Sequence, residues 1–426
     1  MQKWTHKKGS IMTITNPLVK NVDYNKLLNI SFVGLAFSIP ISKALTSIFT
    51  GLMILLWLLE GNFKEKFKII GHNGLSVAIL FIVALSVVSV LWSSSIHFAM
   101  KFIIGKYWYF TPIIIMLTSF RLKYVRYILD GFLFSMLISE IASYGVYFGL
   151  WHINHATCRN PTVFMDHTDY SIYLAFAIMI ILIKMYEQTN IRSRILLAIF
   201  FITATSNLFI NGGRTGQFAF IAAMVLLAFI YFRKSYKIFI SLVVTVIVII
   251  PLAYRFSPNF HSRINLLHTD LTNAYVHHNF TGSFAGRVAL WTTGIDMFIE
   301  HPLRMYGIGD YMNDFNRYIK KLHFNDAHFK TYTDYSNNFI DYSVQFGIVG
   351  LIWILYINYL LFIFKIKEKR YKILSIAFAI VYICHEMGGA SFYLMNSNTL
   401  FAVFAGLFNS MAQREKDGAN IDGKYP

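Results

Sequence analysis

The sequence predicts an all-α membrane protein that crosses the bilayer about twelve times. Hydrophobic residues make up 56% of the 426 residues and charged residues only 14%, whereas soluble domains average about 25% charged residues. Long apolar segments recur along the chain, and each comes close to the roughly 20 residues that a transmembrane helix needs. The polar gaps between these segments alternate in charge, with Lys and Arg concentrated in every second gap.

The apolar segments define the predicted spans. With the N-terminus placed in the cytoplasm, the cytoplasmic segments hold 25 of the 38 Lys and Arg residues. The positive-inside rule then predicts an even number of spans with both termini cytoplasmic. The formal net charge of +17 is therefore explained by membrane topology rather than by nucleic-acid binding. In chain order, the predicted spans are 26–40, 44–60, 75–92, 104–119, 127–149, 169–186, 194–211, 216–232, 237–254, 338–364, 372–387 and 394–411.

The spans divide the chain into five parts. Residues 1–25 form a cytoplasmic tail and residues 26–254 hold nine spans. Residues 255–336 form a large periplasmic loop with amphipathic helices, which breaks the regular alternation and where we expect the chemistry. Residues 337–411 hold the last three spans, and residues 412–426 form a second cytoplasmic tail. No small-residue cleavage pattern follows the first apolar segment, so we expect no cleavable signal peptide.

No pattern in the sequence predicts a metal or a cofactor. The chain has no P-loop and no His-Glu-x-x-His motif, and the sequence Asp166-His167-Thr168-Asp169 is too short a pattern to define a metal site. Its two cysteines, Cys158 and Cys384, are expected to be free thiols, with a disulfide between them as the alternative.

Arg214 is the first candidate site residue, in the short turn from Asn211 to Gln217. An Arg on the periplasmic side runs against the positive-inside rule and needs a reason. The neighbouring Gly213 lets the backbone approach a ligand. Amide groups at the start of the next helix, together with a guanidinium, suit phosphate oxygens. The alternative is that Arg214 only extends to the membrane interface.

Arg287 is the second candidate, within the predicted loop helix 283–300. It lies between Phe284 and Trp291 at helical spacing, which places it on the apolar face of an amphipathic helix. A cation in that position is costly unless something anionic meets it. The alternative is that Arg287 stacks on Trp291 through a cation–π contact.

Two further periplasmic segments carry candidate residues. Arg159 lies in a short polar gap above a predicted span, where a third phosphate-binding Arg is plausible. An ion pair of Arg159 with Asp166 or Asp169 is the alternative. Ser336 and Asn337 stand where the long loop enters the next span, so they can contact a ligand at the interface or cap the helix.

Taken together, these segments resemble the O-antigen ligase and polymerase superfamily of bacterial inner-membrane glycosyltransferases. The similarity covers nearly the whole chain and rests on the order of its motifs. They are Gly213-Arg214, then Arg287-x-x-x-Trp291 with His301-Pro302-Leu303 and Gly307-Ile308-Gly309, then Ser336-Asn337-Asn338-Phe339-Ile340 with Gly347-Ile348-Val349-Gly350. The resemblance implies a GT-C-like fold and a periplasmic active site.

The same resemblance implies glycan transfer from an undecaprenyl diphosphate donor to a hydroxyl, which in the ligases belongs to lipid A–core. We expect Arg214 and Arg287 to hold the diphosphate, with help from Arg159 and without a metal. Attack by the acceptor hydroxyl on the far side of the anomeric carbon predicts inversion.

One position departs from the family pattern, because Ser336 stands where the family usually has a His. That His is implicated in handling the acceptor or the diphosphate, and a Ser is no general base near neutral pH without help. His328 or Asp334 could act in its place. The arginines could also carry the reaction alone, or this chain could have a different or reduced activity. Three further acids of the loop, Asp310, Asp314 and Asp326, show no distinguishing pattern.

The sequence alone is also compatible with other functions. A polymerase would use the same donor with a second lipid-linked glycan as acceptor, and another relative attaches glycan to protein. A lipid-linked sugar transporter would be expected to show discontinuous helices or charged residues deep in paired spans. Glu140 is the clearest acid inside a predicted span. A purely structural membrane protein would leave Arg214 and Arg287 unexplained.

Overall fold

The computed structural model describes residues 23–153, 155–232, 236–276, 280, 282–312, 314–315, 318–319, 332–416 and 418. Throughout these ranges the regular structure is helical, apart from an isolated β-bridge between Thr157 and Asn160. Both cysteines are free, as expected from the sequence.

Sixteen α-helices have both ends within this described part of the chain. Their bounds are α1 (Tyr24–Ser38), α2 (Lys43–Glu60), α3 (Phe63–Gly71), α4 (Gly74–Ser89), α5 (Ile96–Phe102), α6 (Thr111–Ser119), α7 (Val125–Tyr147), α8 (His167–Glu187), α9 (Ile191–Ile210), α10 (Arg214–Leu227), α11 (Tyr236–Phe256), α12 (Pro258–Val276), α13 (Ser283–Glu300), α14 (Asn338–Ile363), α15 (Lys369–Gly388) and α16 (Met395–Lys416).

Helix coincides with each of the twelve predicted spans, and the predicted loop helix is α13 with the predicted bounds. Two helices, α3 and α5, lie in predicted gaps between spans, and α12 lies in the predicted loop 255–336, where amphipathic helices were expected but only α13 was given bounds. Eight helical stretches in the described ranges are long and apolar enough to cross a membrane, and α10 continues as a shorter apolar helix to Ile230. The protein is thus a multi-pass helical membrane protein, and the count of twelve spans stays a prediction. The eight stretches are Lys43–Glu60, Gly74–Trp92, Ile96–Ser119, His167–Glu187, Ile191–Ile210, Phe239–Phe256, Asn338–Ile363 and Lys369–Gly388.

The centre of the bundle consists of α8, α15 and α16, which are enclosed by the other helices. The Phe176 ring of α8 makes edge contacts with Phe378 of α15 and Phe404 of α16, at centroid distances of 5.1 and 4.7 Å. The outer helices instead expose apolar side chains such as Leu55 and Leu196, which are 53% and 67% exposed. This distribution suits a bundle whose outer surface faces lipid and whose interior is held by close packing.

Several helix ends meet at one end of the bundle. The start of α10 lies on α8, where the Gly216 amide donates to Ser171 Oγ at 3.1 Å. The start of α14 is joined to the end of α15 by the Asn337 side chain, whose Nδ2 donates to the Met387 carbonyl at 3.2 Å. These contacts bring the termini of four helices together, and the predicted site residues lie among them.

The helix α14 is interrupted at Gly347, whose φ of 60° and ψ of −147° suit glycine alone. The preceding segment packs into this break: the Ile348 amide donates to the Pro302 carbonyl, and the Gly307 amide donates to the Gln345 carbonyl, both at 2.8 Å. The motifs around Pro302, Gly307 and Gly347 therefore have a local structural role, since they fasten the chain after α13 to the middle of α14.

Candidate functional site

Arg214 and Arg287 come together through one shared neighbour. Arg214 begins α10 and is half-buried, and its Nη2 donates to Ser283 Oγ at 2.9 Å. Ser283 begins α13, and Arg287 follows four residues later, so the two lie on the same face of that helix. We call Arg214, Ser283 and Arg287 the arginine site. The structure thus brings together the short turn with Arg214 and the helix α13 with Arg287, which the sequence predicted as two separate candidate segments.

Arg287 is a half-buried cation that makes no hydrogen bond or ion pair with any described residue. Burial lowers the pKa of this guanidinium, and the nearby Tyr332, Asp334 and Asp166 oppose that shift. The group still carries its positive charge at neutral pH. A partly desolvated cation without a close partner is costly, so its surroundings suit an anionic ligand.

The proposed stacking of Arg287 on Trp291 is wrong within the described structure. Trp291 packs against Phe284 instead, edge to face, with a centroid distance of 6.1 Å. The indole Nε1 of Trp291 is buried and finds no hydrogen-bond partner among the described residues. This side chain therefore supports the helix beside Arg287 and leaves the guanidinium uncovered.

The glycines of the short turn serve helix packing rather than ligand approach. A Cβ on Gly213 would lie 2.5 Å from the His167 carbonyl oxygen, and one on Gly216 would lie 2.3 Å from the Ser171 carbonyl oxygen. Their amides are also occupied, since Gly213 donates to Asn211 Oδ1 at 2.8 Å and Gly216 to Ser171 Oγ. The expectation that these two amides bind phosphate is therefore wrong, and the turn offers the Arg214 guanidinium.

Arg159 is exposed near the same end of the bundle. Its carbonyl accepts from Asn259 Nδ2 at 2.7 Å, and the same amide donates to the last carbonyl of α9, close to the Arg214 turn. Neither ion pair suggested for Arg159 is present in the described structure. Asp166 lies 3.1 Å from the ring of His167, and Asp169 is held by residues of α16.

Ser336 and Asn337 form the entrance to α14. Asn337 caps this helix, with its Oδ1 accepting from the Phe339 amide at 2.9 Å, which confirms the capping alternative. Ser336 has a positive φ of 51°, and both its amide and its hydroxyl donate to Asp334 Oδ1, at 2.8 and 3.4 Å. Asp334 therefore holds Ser336 in place beside the charge of Arg287.

The other acid–base candidates of the loop have different surroundings. Asp310 accepts from the Ser94 amide at 2.7 Å, and Asp314 accepts from Arg304 Nη2 at 3.1 Å. The first contact joins the loop to the segment after α4, and the second lies within the loop. His328 and Asp326 lie outside the described residues.

A second polar group next to the arginine site was missed by the sequence analysis. His385 Nε2 lies 2.7 Å from Ser397 Oγ, and the Ser397 hydroxyl donates to Asp169 Oδ1. Asn396 Nδ2 donates to the other oxygen of Asp169 at 3.2 Å. We call His385, Ser397 and Asp169 the buried triad. Arg287 is among the charged groups close enough to act electrostatically on His385, so the triad and the arginine site are neighbours.

The signal for this group was present in the sequence as ionisable residues inside predicted spans. Such residues are expensive in a membrane and commonly functional. Asp169 was weighed only as an ion-pair partner or a weak metal ligand, and His385 was not considered. Their relation could not be read from spacing, because the three residues belong to α8, α15 and α16.

The fold and this pair of neighbouring polar groups define a multi-pass helical membrane protein with a cationic site at one end of its bundle. The family model described as O-antigen ligase matches residues 198–355. That segment runs from α9 into α14 and carries Arg214, Arg287 and Ser336. The match agrees with the resemblance to the O-antigen ligase superfamily over this segment, which is 158 of the 426 residues. No curated protein matches the chain.

Proposed function

We propose that this protein is an O-antigen ligase of the bacterial inner membrane, with its site on the periplasmic face. It would transfer a glycan from undecaprenyl diphosphate to a hydroxyl of lipid A–core. The observation that carries the proposal is the contact of Arg214 with Ser283, one helical turn before Arg287. It gathers two guanidinium groups at one place within the segment that matches the O-antigen ligase family.

Two neighbouring guanidinium groups suit a diphosphate. Each presents several N–H donors in a planar arrangement that pairs with phosphate oxygens. As the bond between the anomeric carbon and the diphosphate breaks, negative charge grows on the leaving oxygen, and preorganised cations stabilise that charge. Arg159, exposed nearby, would add a third cation. The acceptor hydroxyl attacks from the opposite face, so the configuration at the anomeric carbon inverts, and this scheme needs no metal.

The break in α14 favours transfer over transport. Transporters use interrupted helices whose free backbone groups bind substrate or ions. At Gly347, the flanking backbone groups are instead bonded to the chain around Pro302 and Gly307. The interruption therefore anchors the segment that follows α13, the helix that carries Ser283 and Arg287.

A surface-glycan gel from a strain that lacks the gene tests the proposal. The strain is complemented with the native gene, with Arg287→Ala, or with Arg255→Ala as a matched control, because Arg255 is an exposed Arg at the end of α11. A ligase predicts bare lipid A–core and accumulated lipid-linked polymer in the deletion strain. The native and Arg255→Ala genes should restore the ladder, and Arg287→Ala should not.

The other outcomes identify the rivals. A band of core with a single repeat would mean a polymerase. An unchanged ladder in the deletion strain would exclude both ligase and polymerase, and the loss of a glycoprotein signal would then point to protein glycosylation. A full ladder with Arg287→Ala would remove Arg287 from the site.

A further inference from the structure

We propose that His385 accepts the proton of the attacking hydroxyl and that Ser397 and Asp169 position it for this role. The inference rests on the proposed function, because it supplies the base for that glycosyl transfer. It also answers the departure at Ser336, since the chain has a His beside the arginine site on a different helix.

The hydrogen bonds of the buried triad determine which ring nitrogen is free. The Ser397 hydroxyl has one proton, and it donates that proton to Asp169 Oδ1. Ser397 Oγ must then act as the acceptor towards His385 Nε2, which lies 2.7 Å away. The Nε2 atom therefore carries the proton of the neutral ring. The Nδ1 atom keeps a lone pair, which is the form that a general base requires.

The Nδ1 atom is left available by its surroundings. It is buried and has no hydrogen-bond partner among the described residues. A Cβ placed on Gly389 would lie 3.8 Å from this nitrogen, so a residue without a side chain covers this edge of the ring. Gly388 and Gly389 are both partly exposed, whereas His385 is fully buried. The free nitrogen thus lies just behind two glycines at the end of α15.

This end of α15 adjoins the elements that carry the arginine site. A Cβ on Gly388 would lie 2.9 Å from the side chain of Thr215, the residue after Arg214. The charged groups that act on His385 include Arg287 and Asp166, and the Tyr382 ring packs edge to face against it at 6.0 Å. A hydroxyl that attacks a donor bound by the arginines would therefore be close to the end of α15 that holds His385.

The step balances in atoms and electrons. The acceptor oxygen gives its proton to His385 Nδ1, and its electron pair forms the bond to the anomeric carbon. The bond from that carbon to the diphosphate breaks, and its electron pair leaves with the diphosphate oxygen. His385 becomes an imidazolium, which the Asp169 carboxylate stabilises through Ser397. The ring then releases its proton to water and returns to its neutral form.

The test uses full-length protein in lipid nanodiscs with an undecaprenyl-diphosphate-linked glycan and lipid A–core. The kcat and the donor KM are measured for the native protein, His385→Gln and Ser397→Ala. The matched control is Ser375→Ala, since Ser375 is a buried serine of α15 outside the triad, and its hydroxyl has no partner in the described structure. We expect His385→Gln to lower kcat about 10²–10⁴-fold, the usual contribution of a general base.

If Ser397 positions His385, its replacement should change kcat but not the donor KM. Ser397→Ala should lower kcat while the donor KM and the binding of undecaprenyl diphosphate stay native, because the arginine site is intact. Ser375→Ala should retain native values. If His385→Gln unfolds, Ser397→Ala alone decides the question, and native kcat in that variant would overturn the inference.

The two proposals fail in different ways. Native kcat for His385→Gln, with an active native enzyme, would remove His385 as the base and leave the ligase function standing. A native protein that transfers no glycan would contradict the proposed function itself, and the assignment of His385 would fall with it.

Discussion

Replacing Gly216 with Ala should disturb the site from the far side of α10. The new Cβ would lie 2.3 Å from the backbone carbon and oxygen of Ser171. Backbone atoms of a packed helix cannot rotate away as a side chain can. Since carbon atoms pack at roughly 3.5 Å or more, α10 would have to move about 1 Å away from α8.

That movement has two consequences. Overpacking of this kind costs about 1–3 kcal/mol of stability. Arg214 lies two residues before Gly216 and contacts Ser283 at 2.9 Å, so a shift of α10 also moves a guanidinium of the arginine site. A misplacement of about 1 Å can lower a catalysed rate about 10²-fold. We expect Gly216→Ala to lose transfer to this extent while it remains folded at moderate temperature.

The assay measures thermal unfolding in detergent and glycan transfer in nanodiscs on the same preparation. Gly51→Ala is the matched control, because a Cβ at this position of α2 meets nothing within 4 Å. It should retain both native stability and native transfer. A Gly216→Ala protein with native unfolding temperature and native turnover would refute the close packing of α10 on α8, and with it the placement of Arg214.

The remaining predictions concern the loop anchor and the core. Gly347→Ala should release the segment around Pro302, because the new Cβ would lie 2.6 Å from the Pro302 carbonyl oxygen and the backbone φ is positive. Limited proteolysis between α13 and α14 should then become faster. An unchanged cleavage rate would contradict the anchoring role. Phe404→Ala should destabilise the central helices by about 3–5 kcal/mol, measured as a lower unfolding temperature, whereas the exposed Leu196→Ala should cause little change.

Much of the fold can be predicted from local properties of the sequence. Transmembrane helices satisfy their own backbone hydrogen bonds, so their positions depend on local hydrophobicity and length. For this reason each predicted apolar segment coincides with helix in the structure. The amphipathic pattern around Arg287 predicted α13, because this pattern is also a local property of the sequence. The short helices α3 and α5 and the polar helix α12 lack a comparable signal.

The site could be predicted only in part, because its contacts join distant parts of the chain. Arg214 and Arg287 each stood out as a cation without a local reason, and the structure adds that Arg214 contacts Ser283, one helical turn before Arg287. Gly216 allows α10 to pack closely on α8. The position of α8 relative to α10 cannot be predicted from a local sequence pattern. The hydrogen bond of Ser397 with Asp169 spans 228 residues, so it too depends on the packing of the helices.

The central claim is that Arg214 and Arg287 act on one diphosphate. A double-mutant cycle tests it most directly, with transfer rates measured in nanodiscs for Arg214→Ala, Arg287→Ala and the double variant. Residues that act as a unit lose activity non-additively, so the double variant should be little worse than the more severe single variant. Native turnover in either folded single variant, or losses that multiply fully in the double variant, would contradict the account.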